Sequence, residues 1–206
     1  MKLPSLLQFR ILRQAIKALI KGPYTTRFPK EPHVPFERFR GKSEFHKDDC
    51  IGCGACAQVC PSGAITFKDE IRNGKAKRIF TLRWDICIFC GQCQANCLTE
   101  KGIMLSHEFD FSITENRQDL KQEIEKDLVV CQDCGEIIAP YDQILWVAKK
   151  LGPLTFSNPS LMLFYLKSQK LSSEEAKVKP EEKEFLRADR IKILCPRCRR
   201  EAVIKS

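Results

Sequence analysis

The chain has 206 residues, enough for one ordinary domain or two small ones, which excludes a large catalytic domain carrying a separate substrate domain. Its twelve cysteines are about 6% of the residues, below the range of disulfide scaffolds, so the composition points to a redox or metal protein of a reducing compartment. The formal charge of +9 is uneven: residues 1–30 hold Lys2, Arg10, Arg13, Lys17, Lys21, Arg27 and Lys30 and no acidic residue.

Residues 5–21 read as a helix with Ser5 as N-cap and Gly22-Pro23 as the stop. Arg10, Arg13, Lys17 and Lys21 follow a spacing of three or four, while Leu7, Ile11, Leu12, Ala15, Ile16, Leu19 and Ile20 fill most of the remaining surface. Such a helix suits a membrane surface, where cations meet anionic headgroups and apolar residues enter the interface; packing on a partner subunit or on the chain's own core is the competing use. Arg10, Arg13 and Lys17 break the apolar stretch that a secretory signal needs. The run Leu161 to Leu166 falls far short of the ~20 apolar residues that cross a bilayer. A cytosolic chain without a spanning segment is expected.

Residues 22–44 carry Pro23, Pro29, Pro32 and Pro35 with Tyr24, Phe28, Phe36 and Phe39 between them, an extended arm suited to lying across another surface. An internal repeat follows. Cys50, Cys53, Cys56 and Cys60 recur 37 residues later as Cys87, Cys90, Cys93 and Cys97 with every spacing preserved. Ala64 to Phe67 and Arg78 to Trp84 read as strands, and Asn73-Gly74 as a turn that pairs them in a hairpin.

The run C-x2-C-x2-C-x3-C-P from Cys50 to Pro61 is the bacterial ferredoxin spacing for a four-iron cluster. Three sulfurs on one tight loop, eased by Gly52, Gly54 and Ala55, can surround one cube, while the fourth cysteine points to the other. Cys50, Cys53, Cys56 and Cys97 are therefore expected to hold a first [4Fe-4S] cluster, and Cys87, Cys90, Cys93 and Cys60 a second. Cys97 is followed by Leu98 rather than proline, and its turn is one residue longer than the one after Cys60. Ile51, Ile86, Ile88 and Phe89 are candidates to shield the cubes or to serve as plain core.

Residues 128–206 contain Cys131, Cys134, Cys195 and Cys198, two C-x2-C knuckles whose four thiolates suit one tetrahedral Zn2+, with a rubredoxin-like iron as the competing metal. Between them lie an expected helix from Tyr141 to Lys150 and a charged, aromatic-poor insert at 168–184. Two four-iron centres and one zinc, each about −2 with its thiolates, would lower the net charge to about +3. His33, His46 and His107 are scattered, and no nucleophile-base pair, phosphate loop or dinucleotide fingerprint accompanies them. No catalytic residue and no small-molecule substrate are expected. Nucleic acid is not expected either, because the aromatics do not interleave with the basic stripe.

The expected architecture is α+β. It comprises an amphipathic basic helix (1–21), an extended arm (22–44), a duplicated bacterial-type 2[4Fe-4S] ferredoxin fold (45–110) and a zinc-ribbon-like extension (128–206). Tyr24 to Pro29, Phe39-Arg40-Gly41, Cys50-Ile51-Gly52-Cys53 through Cys60-Pro61, and Cys87-Ile88-Phe89-Cys90-Gly91 resemble the two-cluster ferredoxin-like subunit shared by respiratory complex I and the group 4 nickel-iron hydrogenases. The paired knuckles resemble the C-terminal extension of the formate hydrogenlyase version, with a longer insert here. This resemblance implies a non-catalytic electron relay in the peripheral arm of such a complex, at the cytoplasmic face of the cell membrane. A reduced ferredoxin or a formate-oxidising subunit would be its donor. A complex I-like quinone oxidoreductase is the alternative setting, and a soluble ferredoxin a further one.

Overall fold

A computed structural model describes residues 8–72, 75–171 and 192–204. The chain divides after Phe39 into two units. The N-terminal unit carries α1 (Phe9–Lys21), which begins later than the sequence suggests. Gln8 has extended backbone (φ −67°, ψ 125°), and its carbonyl accepts from Ile11 and Leu12, so the helical ladder starts there; Ser5 lies outside the described residues. Gly22 ends the helix as expected, with φ at 73° and its N–H donating to Ala18. No residue of α1 is buried.

In the larger unit, a short antiparallel pair joins β1 (Ser43–Phe45) to β4 (Ile103–Leu105). This pairing moves the start of the ferredoxin-like unit back from residue 45 to Arg40. Gly41 donates to Ser106 at 3.0 Å and Lys42 to Glu108 at 2.8 Å, continuing the ladder past the strand. A Cβ on Gly41 would meet the Glu108 carbonyl oxygen at 2.3 Å, so only glycine passes. The helices α2 (Ala55–Gln58) and α3 (Gln92–Ala95) occupy matching positions in the two cysteine repeats. Each starts from a left-handed glycine, Gly54 (φ 82°) or Gly91 (φ 78°).

The expected hairpin forms from β2 (Ile65–Arg72) and β3 (Lys75–Arg83), paired from Ile65 opposite Leu82 to Arg72 opposite Lys75. The turn residues Asn73 and Gly74 lie outside the described residues. The hairpin does not stand alone. β5 (Lys121–Val130) adds to β3 and β6 (Ile137–Pro140) adds to β5, giving the antiparallel order β2-β3-β5-β6. The boundary expected near residue 128 is thus corrected: it falls inside β5, whose backbone hydrogen bonds bind the C-terminal region to the cysteine repeats as one unit.

Beyond the sheet, α4 (Tyr141–Leu151) matches the expected helix, with Asp142 in its first turn and Lys149 and Lys150 in its last, as the helix dipole favours. After a 3-10 segment at Gly152–Ser157, α5 (Pro159–Ser168) takes up the apolar run at 161–166. The Asn158 side chain caps α5 by accepting from Leu161 at 3.2 Å. Most of the expected insert at 168–184 lies outside the described residues. The chain then gives α6 (Pro196–Ile204).

The main core gathers Phe45, Ile65, Phe80, Leu82, Ile103 and Ile124 from five strands, together with Cys56 and Cys93. Phe80 is wholly buried between Phe45 and Phe67, with ring centroids 5.8 and 5.5 Å away. Phe80→Ala should destabilise the full chain by about 3–5 kcal/mol, measured anaerobically as a fall in the urea midpoint. An unchanged midpoint would contradict its place at the centre of the core.

Candidate iron-sulfur and metal centres

Gly52, Gly54 and Gly91 all have positive φ, and they fold the two cysteine loops back on themselves. Cβ atoms would also be crowded there: at Gly54 one would lie 3.0 Å from the Phe67 ring. Phe89 occupies in the second loop the place of Gly52 in the first and adopts the same left-handed backbone (φ 51°), against the usual preference of a bulky residue. Its ring packs 5.7 Å from that of Phe111.

Two small hollows of nearly equal size open beside these loops. Cys50, Cys53, Cys56 and Cys97 line the first, with Ile51, Phe80 and Ile103 supplying apolar wall. Cys87, Cys90, Cys93 and Cys60 line the second, with Ile88, Phe89 and Leu105. In each cavity three thiols come from one repeat and the fourth from the other. The cavities are neighbours, since Cys56 and Cys93 share the main core and α2 touches α3.

Within each cavity the thiols differ in kind. Burial pushes Cys56 up to about 12 and Cys93 up to about 11, aided at Cys56 by the charges of Cys50, Cys53 and Cys93. The fourth cysteine behaves oppositely. Burial works to raise Cys60, but hydrogen bonds from the Ile65 amide, the Ser62 hydroxyl and further amides bring it below its ordinary value. At Cys97 the Thr99 hydroxyl and the amides of Thr99, Gly102 and Ile103 overcome burial in the same way. The hydroxyls lie 3.7 Å (Ser62 to Cys60) and 3.4 Å (Thr99 to Cys97) from sulfur. Four thiolates in an apolar hollow are costly unless a positive centre holds them. The donor sets therefore fit cationic iron-sulfur cores.

Thr99 also settles the turn after Cys97. Its Oγ1 accepts from Gly102 at 3.1 Å, and Glu100 adopts a left-handed conformation (φ 62°) like that of Gly63 after Cys60 (φ 65°). The longer turn without proline thus returns the chain to the same place. A hydroxyl two residues after the last cysteine of each repeat was the available sequence signal for these contacts. Ser43, whose Oγ lies 3.9 Å from the Cys87 sulfur, carried no such signal, because 44 residues separate the pair.

The cavities are not equally covered at the residues expected to shield them. Ile51 is 9% exposed at the first, whereas Ile88 is 60% exposed at the second. Ile86 is half-buried and lines neither cavity.

Cys131, Cys134, Cys195 and Cys198 converge differently. Their four sulfurs all lie within 4.8 Å of one another, the one group of three or more metal-binding side chains among the described residues to do so. Cys134 and Cys195 are 3.7 Å apart, close to the ~3.8 Å between corners of a tetrahedron with metal-sulfur bonds of about 2.3 Å. Cys131 directly follows β5 and Cys195 directly precedes α6; hydrogen bonds from Gln132 to the Ile193 carbonyl (3.0 Å) and from Ile193 to the Gln132 side chain (2.7 Å) hold the knuckles together. Against the effect of burial, amides of Cys134, Cys195 and Asp133 hold Cys131 down to about 6, whereas neighbouring sulfurs raise Cys198. Four thiolates this close repel one another unless a cation holds them, so the donor set fits a metal ion.

Residues 49–101 match the 4Fe-4S dicluster domain family. The chain is 36% identical over 133 residues to formate hydrogenlyase subunit 6 of Escherichia coli, covering 63% of this chain and 70% of that one. It is 33% identical over 110 residues to NADH-quinone oxidoreductase subunit I 2 of Geobacter metallireducens, covering 49% and 81%. Against NAD(P)H-quinone oxidoreductase subunit I of Gloeobacter violaceus it is 30% identical over 101 residues and spans about half of that relative's length (48%). A subunit of the membrane-bound sulfane sulfur reductase, an archaeal respiratory membrane complex, is 28% identical over 58% of this chain and 62% of that chain, with a TM-score of 0.38. With the ferredoxin cysteine pattern in both repeats and these two extensive matches, the chain belongs to the family of iron-sulfur subunits that includes formate hydrogenlyase subunit 6 and NADH-quinone oxidoreductase subunit I.

Proposed function

We propose that this protein is a non-catalytic electron relay. It holds two [4Fe-4S] clusters, one at Cys50, Cys53, Cys56 and Cys97 and the other at Cys87, Cys90, Cys93 and Cys60, in a duplicated ferredoxin fold. The observation that carries this reading is the pair of adjacent cavities, each walled by apolar side chains and lined by four thiols drawn from both repeats. Each cluster supplies one-electron chemistry when bound. The chain fixes the two sites beside each other on one core, keeps water from the buried thiols Cys56 and Cys93, and places hydroxyl and amide donors at Cys60 and Cys97. Such donors stabilise negative charge on sulfur and so shift the reduction potential.

Its setting, in this reading, is the peripheral arm of a membrane-bound, formate hydrogenlyase-like group 4 nickel-iron hydrogenase complex. The relatives' names and the paired cysteine knuckles support this. A reduced ferredoxin or a formate-oxidising subunit is the donor. The equivalent place in a complex I-like quinone oxidoreductase is the second reading, favoured by the extensive match to the Geobacter subunit. No helix among the described residues is long and apolar enough to cross a membrane. In this reading α1 provides the attachment. Its Phe9, Leu19 and Ile20 are strongly exposed, and Arg10, Arg13 and Lys17 stand among them, as docking on membrane subunits or a bilayer surface requires. Cys131, Cys134, Cys195 and Cys198 hold one Zn2+ in a closed structural site, the core of a zinc-ribbon-like extension.

Three results test this reading. Cys60→Ser should damage the second cluster and Cys97→Ser the first, across the sequence repeats, as followed by EPR of the reduced protein; damage confined to each residue's own repeat would overturn the ligand sets. Cys198→Ser should abolish about one zinc per chain while leaving about eight irons, by metal analysis of anaerobically purified protein. Deleting residues 8–21 should release the chain from washed membranes and from its co-purifying subunits with both clusters intact, whereas retention of the shortened chain would remove α1 as the anchor. Nickel in the co-purified complex separates the hydrogenase setting from the quinone-reductase one.

A further inference from the structure

The core-facing positions of β5 are Ile124, Lys126 and Leu128, and all three are buried. A lysine in the middle of that series breaks the alternation that the strand otherwise follows. Directly opposite it on β3 stands Arg78, with a side chain only 13% exposed. Two like charges facing each other across a sheet are destabilising by themselves. Neighbouring carboxylates compensate them: Asp69 grips Arg78 at 2.7 and 2.8 Å, and Asp142 on α4 meets Lys126 at 2.9 Å. The two compensations differ, since Asp142 is 43% exposed and reaches water while Lys126 is 7% exposed.

Both cations point at one target. Lys126 donates to the Lys47 carbonyl and Arg78 donates to the Gly52 carbonyl at 3.0 Å, so they grip the first cysteine loop on both sides of Cys50. Close packing keeps them there: a Cβ on Gly52 would lie 3.4 Å from Lys126 and 3.1 Å from Pro140. The Lys126 charge also acts on the Cys50 thiol, opposing the effect of burial. At the second loop the corresponding contact is made by Arg40, an exposed side chain, to the Cys90 carbonyl at 3.1 Å.

We propose that the buried Lys126/Arg78 pair sets the potential of the first cluster, favouring its reduced state while leaving the second cluster largely unaffected. The proposal rests on the cluster ligand sets given above. A [4Fe-4S] centre with four thiolates gains one electron and passes from about −2 to about −3, with no bond formed or broken. A fixed cation nearby stabilises the more negative state, and in a buried position neither water nor salt screens it well. Lys126 is thus a positioning residue that also contributes charge.

The test is an EPR-monitored dithionite titration of the anaerobically purified full chain, with Cys53→Ser identifying the first cluster's signal. Lys126→Met keeps the apolar stem in a strand position that suits it, so the sheet should survive. It should lower the first cluster's midpoint by at least a tenfold change in the reduction equilibrium, about 59 mV for one electron. The second cluster should not move, and Lys126→Arg should restore the original midpoint. An unchanged first midpoint, or an equal shift of both clusters, overturns the proposal. If Lys126→Met cannot retain the first cluster, Asp142→Asn decides: the less compensated cation should raise the first midpoint, and no change or a fall overturns the idea. Absence of two four-iron signals in the unaltered chain would instead sink the ligand reading on which the proposal stands.

Discussion

Cys60 ends the first cysteine loop yet lines the second cavity, and Cys97 does the reverse. That exchange is the constraint on which the rest of the structure depends. Neither cavity can assemble from its own repeat, so the two repeats must pack face to face before either set of four sulfurs exists. The pairing of β1 with β4, the contact of α2 with α3 and the shared core around Phe80 are the means by which they do so. Electron transfer benefits from the same arrangement, because a fold that cannot make one cavity without the other holds the two sites close together.

The exchange also explains why the fourth cysteines have distinctive surroundings. A thiol reaching across to the other repeat sits where its own chain turns back, and that turn presents amide N–H groups together with a hydroxyl, Ser62 or Thr99. Cys56 and Cys93 lie in the core and lack enough such donors to offset burial, so they rise. Each cavity therefore combines one thiol that nearby donors hold down, Cys97 or Cys60, with at least one that burial pushes up. This is the behaviour of a binding site completed by its metal.

The C-terminal region joins that frame through β5, which extends the hairpin sheet instead of starting a separate domain. It brings Lys126 and Pro140 against the Gly52 turn of the first loop and leaves Ile88 at the second loop largely exposed. The two sites are alike in ligands and unlike in cover.

The sequence by itself determined which cysteines recur and at what spacing. Ligand choice depends on residue type and spacing along the chain, so the repeat at Cys50 to Cys60 and Cys87 to Cys97 and the two later knuckles were legible at once, as was the β2-β3 hairpin from its flanking strand patterns. The start of α1 at Phe9 and the true limits of the ferredoxin-like unit were less legible, because helix ends and edge pairings depend on partners that spacing does not specify. Only the tertiary structure decided that β5 belongs to the same sheet, that Ser43 reaches Cys87, and that Lys126 and Arg78 meet beneath one loop and not the other. The physical reason is sequence separation: Lys126 lies 79 residues from the carbonyl it binds, and nothing local in either segment encodes a contact made only when a strand register aligns them.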